Sequence, residues 1–467
     1  MRQTSNPDES TSRWSVLIMV CLGAFIAPLG MASVNVAIPA LAEELSANGI
    51  LVSWIPTAVL VANIVCMLPA GKLADIWGRK RVFQLGIVIN ALAGISAFFA
   101  TDMLWLLAMR FMQGTGSAMI FATSMAMLIS VFPSHRRGLP LGLNAACIYL
   151  GLTLAPALGG WVTQFWGWRY VFLMPLPLVA VVLALSYWRV TDEWREASGG
   201  RFDWPGALLL AAWAVTLVLG FTHLPSWQGI ATLLASVLFF TGFVVLQVRS
   251  KAPLIRVQMF TESKFFSLSL VAAVLMYASS YPLGFLLSLY LQYVLGLSAA
   301  NAGQVMLSQA LAMACVAPFA GKLADFISAR ILTSVGCVMT LLGLYLLHRL
   351  QLGSTAIYIS VALALVGVGF GFFSSPNNHA AMQAVSASEA GVASATLNLA
   401  RVSGNLVGMS LVNLIVYSYI GERTLSKALA QPILSTFLQA LELSMTFVAL
   451  ALLVSIMRGR LSEESSR

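Results

Sequence analysis

Charge is what this sequence has least of. Lys, Arg, Asp and Glu together make up 9% of its 467 residues, while 59% are apolar. Soluble domains carry roughly a quarter of their residues as charged side chains, so a soluble fold is excluded. Apolar runs of about 20 residues follow one another along the chain, and each can cross the roughly 30 Å hydrocarbon layer as a helix. The sequence therefore predicts an all-α polytopic membrane protein.

Cysteines are also few. All five fall inside apolar runs, where a lone cysteine acts as a small packing residue. We therefore expect no disulfide framework, no metal site and no cofactor. The cysteines are Cys21, Cys66, Cys147, Cys315 and Cys337.

Catalytic and nucleotide-binding motifs are missing from the sequence as well. It holds no H-E-x-x-H pair, no paired carboxylates in a span, no Gly-rich nucleophile turn and no Walker A loop. A membrane enzyme, an ATP-driven pump and a receptor with a large soluble domain therefore lack support. The net charge of +9 comes without a basic domain, so nucleic acid is not an expected partner. A transporter is the class that remains.

Fourteen apolar spans are predicted, the first retained in the mature chain, with a cleaved signal peptide as the alternative. They are 14–36, 51–71, 82–100, 104–131, 139–162, 169–188, 205–222, 229–248, 265–292, 301–321, 331–349, 355–375, 391–418 and 436–457. The regions are an N-terminal tail 1–13, a six-helix bundle 14–188, a linker with two inserted helices 189–264, a second six-helix bundle 265–457 and a C-terminal tail 458–467.

Cations are unevenly distributed between the two sets of loops. This asymmetry follows the positive-inside rule, so both termini are expected on the cytoplasmic side of a plasma membrane, the bacterial inner membrane above all. One set contains Lys72, Arg79, Lys80, Arg81, Arg136, Arg137, Arg189, Arg195, Arg201, Arg249, Lys251, Arg256, Lys264, Lys322 and Arg330. The other set contains Arg169, Arg349, Arg423 and Lys427.

One charged pentapeptide occurs twice. GKLAD spans 71–75 and returns at 321–325, each time between two spans. The copies follow the second and tenth spans, whereas a plain duplication of six helices would place them after the second and eighth. Two helices inserted between the halves, the seventh and eighth spans, explain the difference. Internal repeats of this kind are typical of secondary transporters.

The repeat belongs to a larger set of motifs. Residues 71–80 match G-x-L-x-D-x-x-G-R-K, 110–116 match R-x-x-Q-G-x-G, and 151–160 match G-x-x-x-G-P-x-x-G-G with Ala155 at one glycine. Further matches are FDWPG at 202–206, LQYVLGLS at 291–298 and GVASATLNLAR at 391–401. With these motifs the chain resembles the major facilitator superfamily, and within it the fourteen-span drug:H+ antiporters. The resemblance implies the major facilitator fold, two six-helix bundles plus two inserted helices, and drug efflux by antiport that confers multidrug resistance.

Gating residues are expected within these motifs. The loop cations could act only by fixing membrane topology and by contacting lipid headgroups. The resemblance implies in addition that Asp75 latches the cytoplasmic side against the helix that starts near Gly391. In the fifth span, glycines and a proline permit a bend or a close approach, with plain helix packing as the alternative. The candidates are Gly71, Asp75, Gly78, Arg79, Lys80, Gly151, Pro156, Gly159, Gly160 and Asp325.

Two arginines are predicted inside the membrane. An arginine at mid-bilayer costs roughly 2.5–3.5 kcal/mol on insertion scales, so it should face a cavity or a partner. Arg110 lies in the fourth span and Arg401 near the middle of the thirteenth. We expect both to face a central cavity, with clamping of neighbouring helices as the alternative.

The acid that would accompany them is missing. The resembled antiporters usually carry an aspartate in the first span, where this chain reads LGMASVNVAIP with Gly30 in its place. Proton-coupled export of a cation needs a carboxylate that alternates between proton and cargo. Because two buried cations lack such an acid, the sequence favours an anionic or zwitterionic amphiphile as the transported cargo. Candidates for coupling elsewhere are Asp75, Asp203, Glu442 and His379, the last with a structural role as its alternative.

Scattered polar and aromatic residues on the spans suit an apolar cavity for an amphiphile, although many of them could instead bond across helices. With the two arginines, the predicted substrate-binding set is Ser33, Asn35, Arg110, Gln113, Asn144, Tyr149, Tyr277, Tyr281, Gln292, Gln304, Gln309, Asn398 and Arg401.

The sequence thus favours a secondary transporter that exports small organic amphiphiles or drugs by alternating access, with proton coupling left open. The alternative is an uncoupled or differently coupled transporter of an anionic, zwitterionic or lipid-like metabolite. The expected partners are the amphipathic substrate, membrane lipids and, where coupling occurs, protons. We expect the chain to act as a monomer.

Overall fold

The computed structural model describes residues 7–133, 138–190, 192–195, 203–250, 253–255, 257–324, 326–350, 354–385 and 390–464. Side chains are described in these ranges except at 7–12, 138, 390–392 and 459–464. One predicted gating residue, Asp325, lies outside the described residues. So do five of the loop cations, which are Arg136, Arg137, Arg201, Lys251 and Arg256.

Helices make up most of the described chain. In order they are α1 Pro7–Glu44, α2 Gly49–Trp77, α3 Arg79–Phe98, α4 Met103–Val131, α5 Gly138–Phe165, α6 Tyr170–Leu173, α7 Leu176–Trp188, α8 Trp204–His223, α9 Trp227–Arg249, α10 Gln258–Glu262, α11 Lys264–Leu289, α12 Ala299–Leu323, α13 Ala329–His348, α14 Ala356–Gln383, α15 Ala390–Tyr419 and α16 Ala430–Glu464.

Fourteen helices in the described ranges are long and apolar enough to cross a membrane, which confirms the predicted number of spans. The sixth span combines α6 and α7, and the ninth continues from α11 into the π-helical turn Tyr290–Val294. Polar side chains fix where several spans begin. Asn48 Oδ1 accepts from the backbone N–H of Leu51 at 2.8 Å, and Asp102 Oδ1 from that of Trp105 at 2.9 Å, so each satisfies a donor of the first turn.

The spans form two bundles with the same helix pairing. In the first bundle α1 packs on α5, and α2 and α3 pack on α4; in the second, α11 packs on α15, and α12 and α13 on α14. The close crossings also correspond. A Cβ on Gly86 would lie 2.8 Å from the Gly116 oxygen, and one on Gly336 would lie 2.6 Å from the Gly369 oxygen. The repeated pentapeptide therefore reflects a repeated structure, and the expected fold class is confirmed.

The two inserted helices lie outside both bundles. α8 and α9 pack on each other, and α8 also contacts α2 of the first bundle and α15 of the second. Because α2 and α15 contact each other directly, the hairpin lies beside this seam between the bundles. A second seam is formed by α5 and α12.

The bundles contact each other on both sides of the membrane. We call the side that carries loop residues 71–81 the signature-loop face and the opposite side the far face. On the signature-loop face, Met125 Sδ of α4 lies 2.8 Å from Ser394 Oγ of α15. Contacts that close the far face are Gly49 N to Arg423 O at 3.2 Å, Ala300 N to Gln164 Oε1 at 3.1 Å and Tyr293 OH to Pro39 O at 3.3 Å.

Candidate functional site

Arg401 on α15 is half-buried, with its guanidinium carbon 5.6 Å from the ring centroid of Tyr277 on α11. Its Nη1 donates to Asn398 Oδ1 at 3.3 Å. Its Nε is buried and has no hydrogen-bond partner within the described ranges, and no carboxylate there pairs with it. The guanidinium therefore retains donors for an anionic group.

A hydroxyl cluster beside Arg401 joins the two bundles. Ser374 Oγ on α14 lies 3.1 Å from Tyr149 OH on α5 and 3.4 Å from Tyr277 OH. Because Tyr149 belongs to the first bundle and Ser374 to the second, relative motion of the bundles changes this cluster. We call the set Tyr149, Tyr277, Ser374, Asn398 and Arg401 the cargo site, as the candidate place for a transported molecule to bind.

Arg110 on α4 has a different environment from Arg401, because its side chain is 1% exposed and ties α4 to α1 and α2. All its acceptors are neutral. They are the backbone oxygens of Gly30 at 3.4 Å, Met31 at 3.5 Å and Ile55 at 3.4 Å, and Gln113 Oε1 at 2.9 Å. Tyr281 of the second bundle lies within range of an electrostatic interaction with it. Arg110 thus clamps helices, and its direct contact with cargo stays a prediction.

Gly30 contacts Arg110 through a carbonyl oxygen, where the resembled antiporters place a carboxylate. An ideal Cβ at Gly30 would have Pro175 Cγ as its nearest contact from outside α1, at 3.8 Å. A methyl group therefore fits at this position, and packing does not require glycine. The missing acid is a chemical difference rather than a steric necessity.

Several other polar side chains lie buried without partners. Ser33 Oγ, Asn35 Oδ1 and Asn144 Oδ1 have no hydrogen-bond partner in the described part of the chain. A buried polar atom without a hydrogen-bond partner lowers the stability of the fold, unless a bound cargo or water molecule supplies the missing hydrogen bond. Asn405 Oδ1 on α15 is unpartnered too, and sequence analysis missed it. Its spacing of seven residues from Asn398 places both on one helix face, a signal that could have identified it.

The glutamines of the predicted substrate-binding set lie in different parts of the structure. Gln292 Nε2 donates to Val36 O at 2.9 Å and so bonds the bundles to each other. Gln309 lies where α12 and α14 cross, since a Cβ on Gly367 would be 2.1 Å from its carbonyl oxygen. Gln304 is exposed in a groove of about 750 Å³ between α12 and α14, together with Asn301 and Ser308. Gln304 therefore faces away from the cargo site.

The signature loop is held by its own bundle. Arg79 Nη2 pairs with Asp75 Oδ1 at 3.2 Å, and Arg79 Nη1 donates to Ser130 Oγ of α4 at 2.6 Å. Lys80 Nζ donates to Val190 O at 2.6 Å, just beyond α7. The loop thus links the ends of α2, α3, α4 and α7. Its role as a latch against α15 stays a prediction.

Glu193, which sequence analysis missed, caps α3. Its Oε1 accepts from the backbone N–H of Lys80 at 3.0 Å, and its Oε2 lies 3.7 Å from Arg81 Nε. Gly78 precedes the helix with φ +118°, a conformation that disfavours a side chain, and a Cβ there would lie 2.2 Å from Glu193 Oε1. Gly71 by contrast has open space around its Cβ direction.

The fifth-span motif forms close approaches on both sides of α5. A Cβ on Gly151 would lie 2.6 Å from Phe25 O, and one on Gly159 would lie 2.5 Å from Ser33 O, both on α1. Toward the second bundle, a Cβ on Gly160 would lie 2.3 Å from Ala299 O. Pro156 O also approaches α12, 2.2 Å from a Cβ built on Gly303. The motif therefore forms the α5–α12 seam.

The remaining coupling candidates lie away from Arg401. Asp203 caps α8, because its Oδ1 accepts from Gly206 N at 3.0 Å and its Oδ2 from Gln247 Nε2 at 2.7 Å. Glu442 Oε1 lies 3.7 Å from His348 Nε2 toward the far face. His379 Nε2 lies 3.3 Å from Gln383 Nε2, one turn further along α14. None of these contacts involves the cargo site, and their role in coupling stays a prediction.

Comparison with known proteins agrees with this architecture. A profile described as Major Facilitator Superfamily matches residues 20–409, so the chain belongs to that superfamily. The resemblance seen in the motifs is thereby confirmed, and the protein is a multi-pass membrane transporter.

The relatives include proteins that are named for different cargoes. The chain is 29% identical to the riboflavin transporter RibZ of Clostridioides difficile (strain 630), over 78% of this chain and 80% of the relative. It is 29% identical to the multidrug resistance protein Stp of Mycobacterium tuberculosis (strain CDC 1551 / Oshkosh), over 89% and 79%. It is 30% identical to the cephamycin export protein CmcT of Amycolatopsis lactamdurans, over 88% and 86%.

Solved structures show the same fold at low identity. A bacterial homologue of the human lysosomal transporter Spinster, inward-facing and unoccupied, superposes with a TM-score of 0.69 at 17% identity and 98% coverage of both chains. A POT family transporter in complex with 5-aminolevulinic acid gives a TM-score of 0.70 at 14% identity, covering 97% of this chain and 96% of that one.

Proposed function

We propose that this chain exports small organic amphiphiles that carry an acidic group, by alternating access of the cargo site to the two sides of the membrane. The observation that carries the proposal is the environment of Arg401. Its guanidinium is half-buried, has an unpartnered Nε and lacks an acidic partner among the described residues. An anionic cargo would supply the missing charge, and the ring of Tyr277 would pack against its apolar part.

Alternating access is supported by the contacts between bundles. The pair Tyr149 and Ser374 joins the two bundles beside Arg401, and the far face is closed by the contacts described above. Opening the far face and closing the signature-loop face would turn the cargo site toward the other side. Export is further supported by the cephamycin export protein CmcT among the relatives.

Proton drive through the first span finds no support, because Gly30 offers Arg110 a carbonyl oxygen instead of a carboxylate. We propose that the membrane potential moves the cargo. In this proposal the signature-loop face lies on the cytoplasmic side of a bacterial plasma membrane, which the excess of cations in its loops supports. An inside-negative potential of 100 mV is then worth about 2.3 kcal/mol per negative charge, which favours export about fiftyfold.

Flux from proteoliposomes tests this proposal. Vesicles loaded with carboxyfluorescein, an anionic aromatic amphiphile, are compared with vesicles loaded with ethidium, a cationic one. An inside-negative potassium diffusion potential should accelerate carboxyfluorescein release, and a pH gradient alone should not. Preference for ethidium, or acceleration by the pH gradient alone, would support proton-coupled drug efflux instead and would contradict the proposal.

A further inference from the structure

Arg458 lies on α16, one residue beyond the predicted fourteenth span 436–457, and its side chain turns into the second bundle. Its side chain is 0% exposed, although an arginine near the membrane boundary can normally extend toward the lipid headgroups. Arg249 at the end of α9, on the same face, is exposed. Membrane topology therefore does not explain the burial of Arg458, and sequence analysis gave this residue no role.

The guanidinium of Arg458 joins three other helices. Nη1 donates to Ser269 Oγ on α11 at 3.0 Å and to Asn377 Oδ1 on α14 at 2.6 Å, while Nη2 donates to Thr333 Oγ1 on α13 at 3.2 Å. The guanidinium carbon lies 5.1 Å from the ring centroid of Phe265. These acceptors are all neutral. The geometry of the contact is therefore set by the fixed, planar arrangement of the N–H donors on the guanidinium group.

Two of these three helices carry the cargo site. Ser269 lies about two turns from Tyr277 on α11, and Asn377 lies about one turn from Ser374 on α14. Asn377 Nδ2 also donates to Ser269 O at 3.1 Å, which joins α11 and α14 directly. α13, which holds the third acceptor, contributes no residue to the cargo site as defined above.

We propose that Arg458 is a positioning residue for transport. It fixes α11 and α14 relative to each other, so that Tyr277 and Ser374 stay aligned with Arg401 while the second bundle moves. The consequence for acidic cargo rests on the proposed function, whereas the consequence for the helices does not.

A matched pair of variants tests the positioning role. Ser269→Ala and Thr333→Val each remove one fully buried hydroxyl acceptor of Arg458. In carboxyfluorescein flux, Ser269→Ala should raise KM about tenfold, with turnover at saturation within about twofold of wild type. Thr333→Val should leave KM unchanged. KM changes of equal size in both variants would overturn the proposal. If the hydrogen bonds of Arg458 only stabilised the bundle, loss of the bond to α11 and loss of the bond to α13 should have the same effect on KM.

Variants of Arg458 itself give a second test. Arg458→Gln should raise KM as Ser269→Ala does. Arg458→Lys should recover part of the loss, because an ammonium group still reaches acceptors on α11 and α14. Arg249→Gln, which changes an exposed arginine at the same face, serves as the control. A wild-type KM in Arg458→Gln would overturn the proposal.

Hydrogen exchange provides a readout that needs no cargo. Ser269→Ala should accelerate exchange in the segments around Tyr277 and Ser374, and Thr333→Val should not. Unchanged exchange in Ser269→Ala would overturn the positioning role. If Arg401→Gln leaves carboxyfluorescein flux unaffected while exchange responds as expected, the proposed function fails and the positioning role stands.

Discussion

The carbonyl oxygen of Gly30 accepts a hydrogen bond from Nη1 of Arg110 at 3.4 Å. An acidic side chain at this position would form an ion pair instead. The whole set of acceptors around Arg110 is neutral, and Arg401 on the other bundle also lacks an acidic partner among the residues described. The two arginines therefore bring positive charge into the described interior without an acidic partner there, and this charge is the physical basis for the proposed acidic cargo.

Introducing an acid beside Arg110 should create proton dependence. Gly30→Asp introduces a carboxylate at a position with space for a Cβ, since Pro175 Cγ, the nearest contact from outside α1, is 3.8 Å from the ideal Cβ. Release of carboxyfluorescein from proteoliposomes should slow, because the charge is now neutralised, and should respond to a pH gradient. Gly30→Asn has the same shape without the charge and should behave as wild type. An identical response in both variants would contradict the role assigned to the missing acid.

The spans and the repeat could be predicted from sequence because both depend on local patterns. Hydropathy alone identifies fourteen apolar segments that are long enough to span a membrane. The repeated GKLAD identifies equivalent loops without any knowledge of how the helices pack. The surroundings of Arg110 could not be predicted in this way. They depend on backbone oxygens of α1 and α2. Every residue type has a backbone carbonyl, so the sequence does not show which carbonyl faces a neighbouring helix.

Gly78→Ala should destabilise the signature loop. The backbone at Gly78 has φ +118°, and an added Cβ would lie 2.2 Å from Glu193 Oε1, so strain and a clash with the cap of α3 coincide. We expect a loss of about 1–3 kcal/mol, seen as a lower unfolding temperature in detergent. Gly71→Ala is the control, because open space surrounds its Cβ direction. Equal stability of the two variants would contradict this account of the loop.

Gly160→Ala should loosen the closed far face. Its Cβ would lie 2.3 Å from Ala299 O, so α5 and α12 must separate. In a cysteine-free background, a cysteine at Ser33 should react several times faster with a membrane-impermeant maleimide added to the far face. Gly142→Ala, on the same helix but in open space, should leave the rate unchanged. A rate equal to that of the parent protein in Gly160→Ala would show that this seam does not control access.

Asp203 should prove to be a helix cap rather than a proton carrier. Asp203→Ala removes acceptors for Gly206 N and Gln247 Nε2 and should cost about 1 kcal/mol of stability. Asp203→Asn keeps an oxygen for Gly206 N and loses the charge and the acceptor for Gln247 Nε2, and its carboxyfluorescein flux should match wild type. Loss of transport in Asp203→Asn with unchanged stability would give the carboxylate a role beyond capping.

The cargo site was only partly predictable. Tyr149, Tyr277, Asn398 and Arg401 stand out as polar or aromatic residues in apolar spans, yet Gln304 has the same appearance and faces an outer groove. In a helix that is apolar all round, hydropathy does not define which face turns inward. Arg458 escaped notice because an arginine at a span end is expected to reach the headgroups.

Affinity of Arg401 variants for an acidic amphiphile tests the central claim most directly. Fluorescence polarisation of carboxyfluorescein with purified protein gives the Kd for wild type, Arg401→Lys, Arg401→Gln and the control Arg349→Gln, which alters an exposed arginine. The account predicts a Kd about tenfold to a hundredfold higher in Arg401→Gln, an intermediate value in Arg401→Lys and no change in Arg349→Gln. Equal affinity of wild type and Arg401→Gln would contradict it.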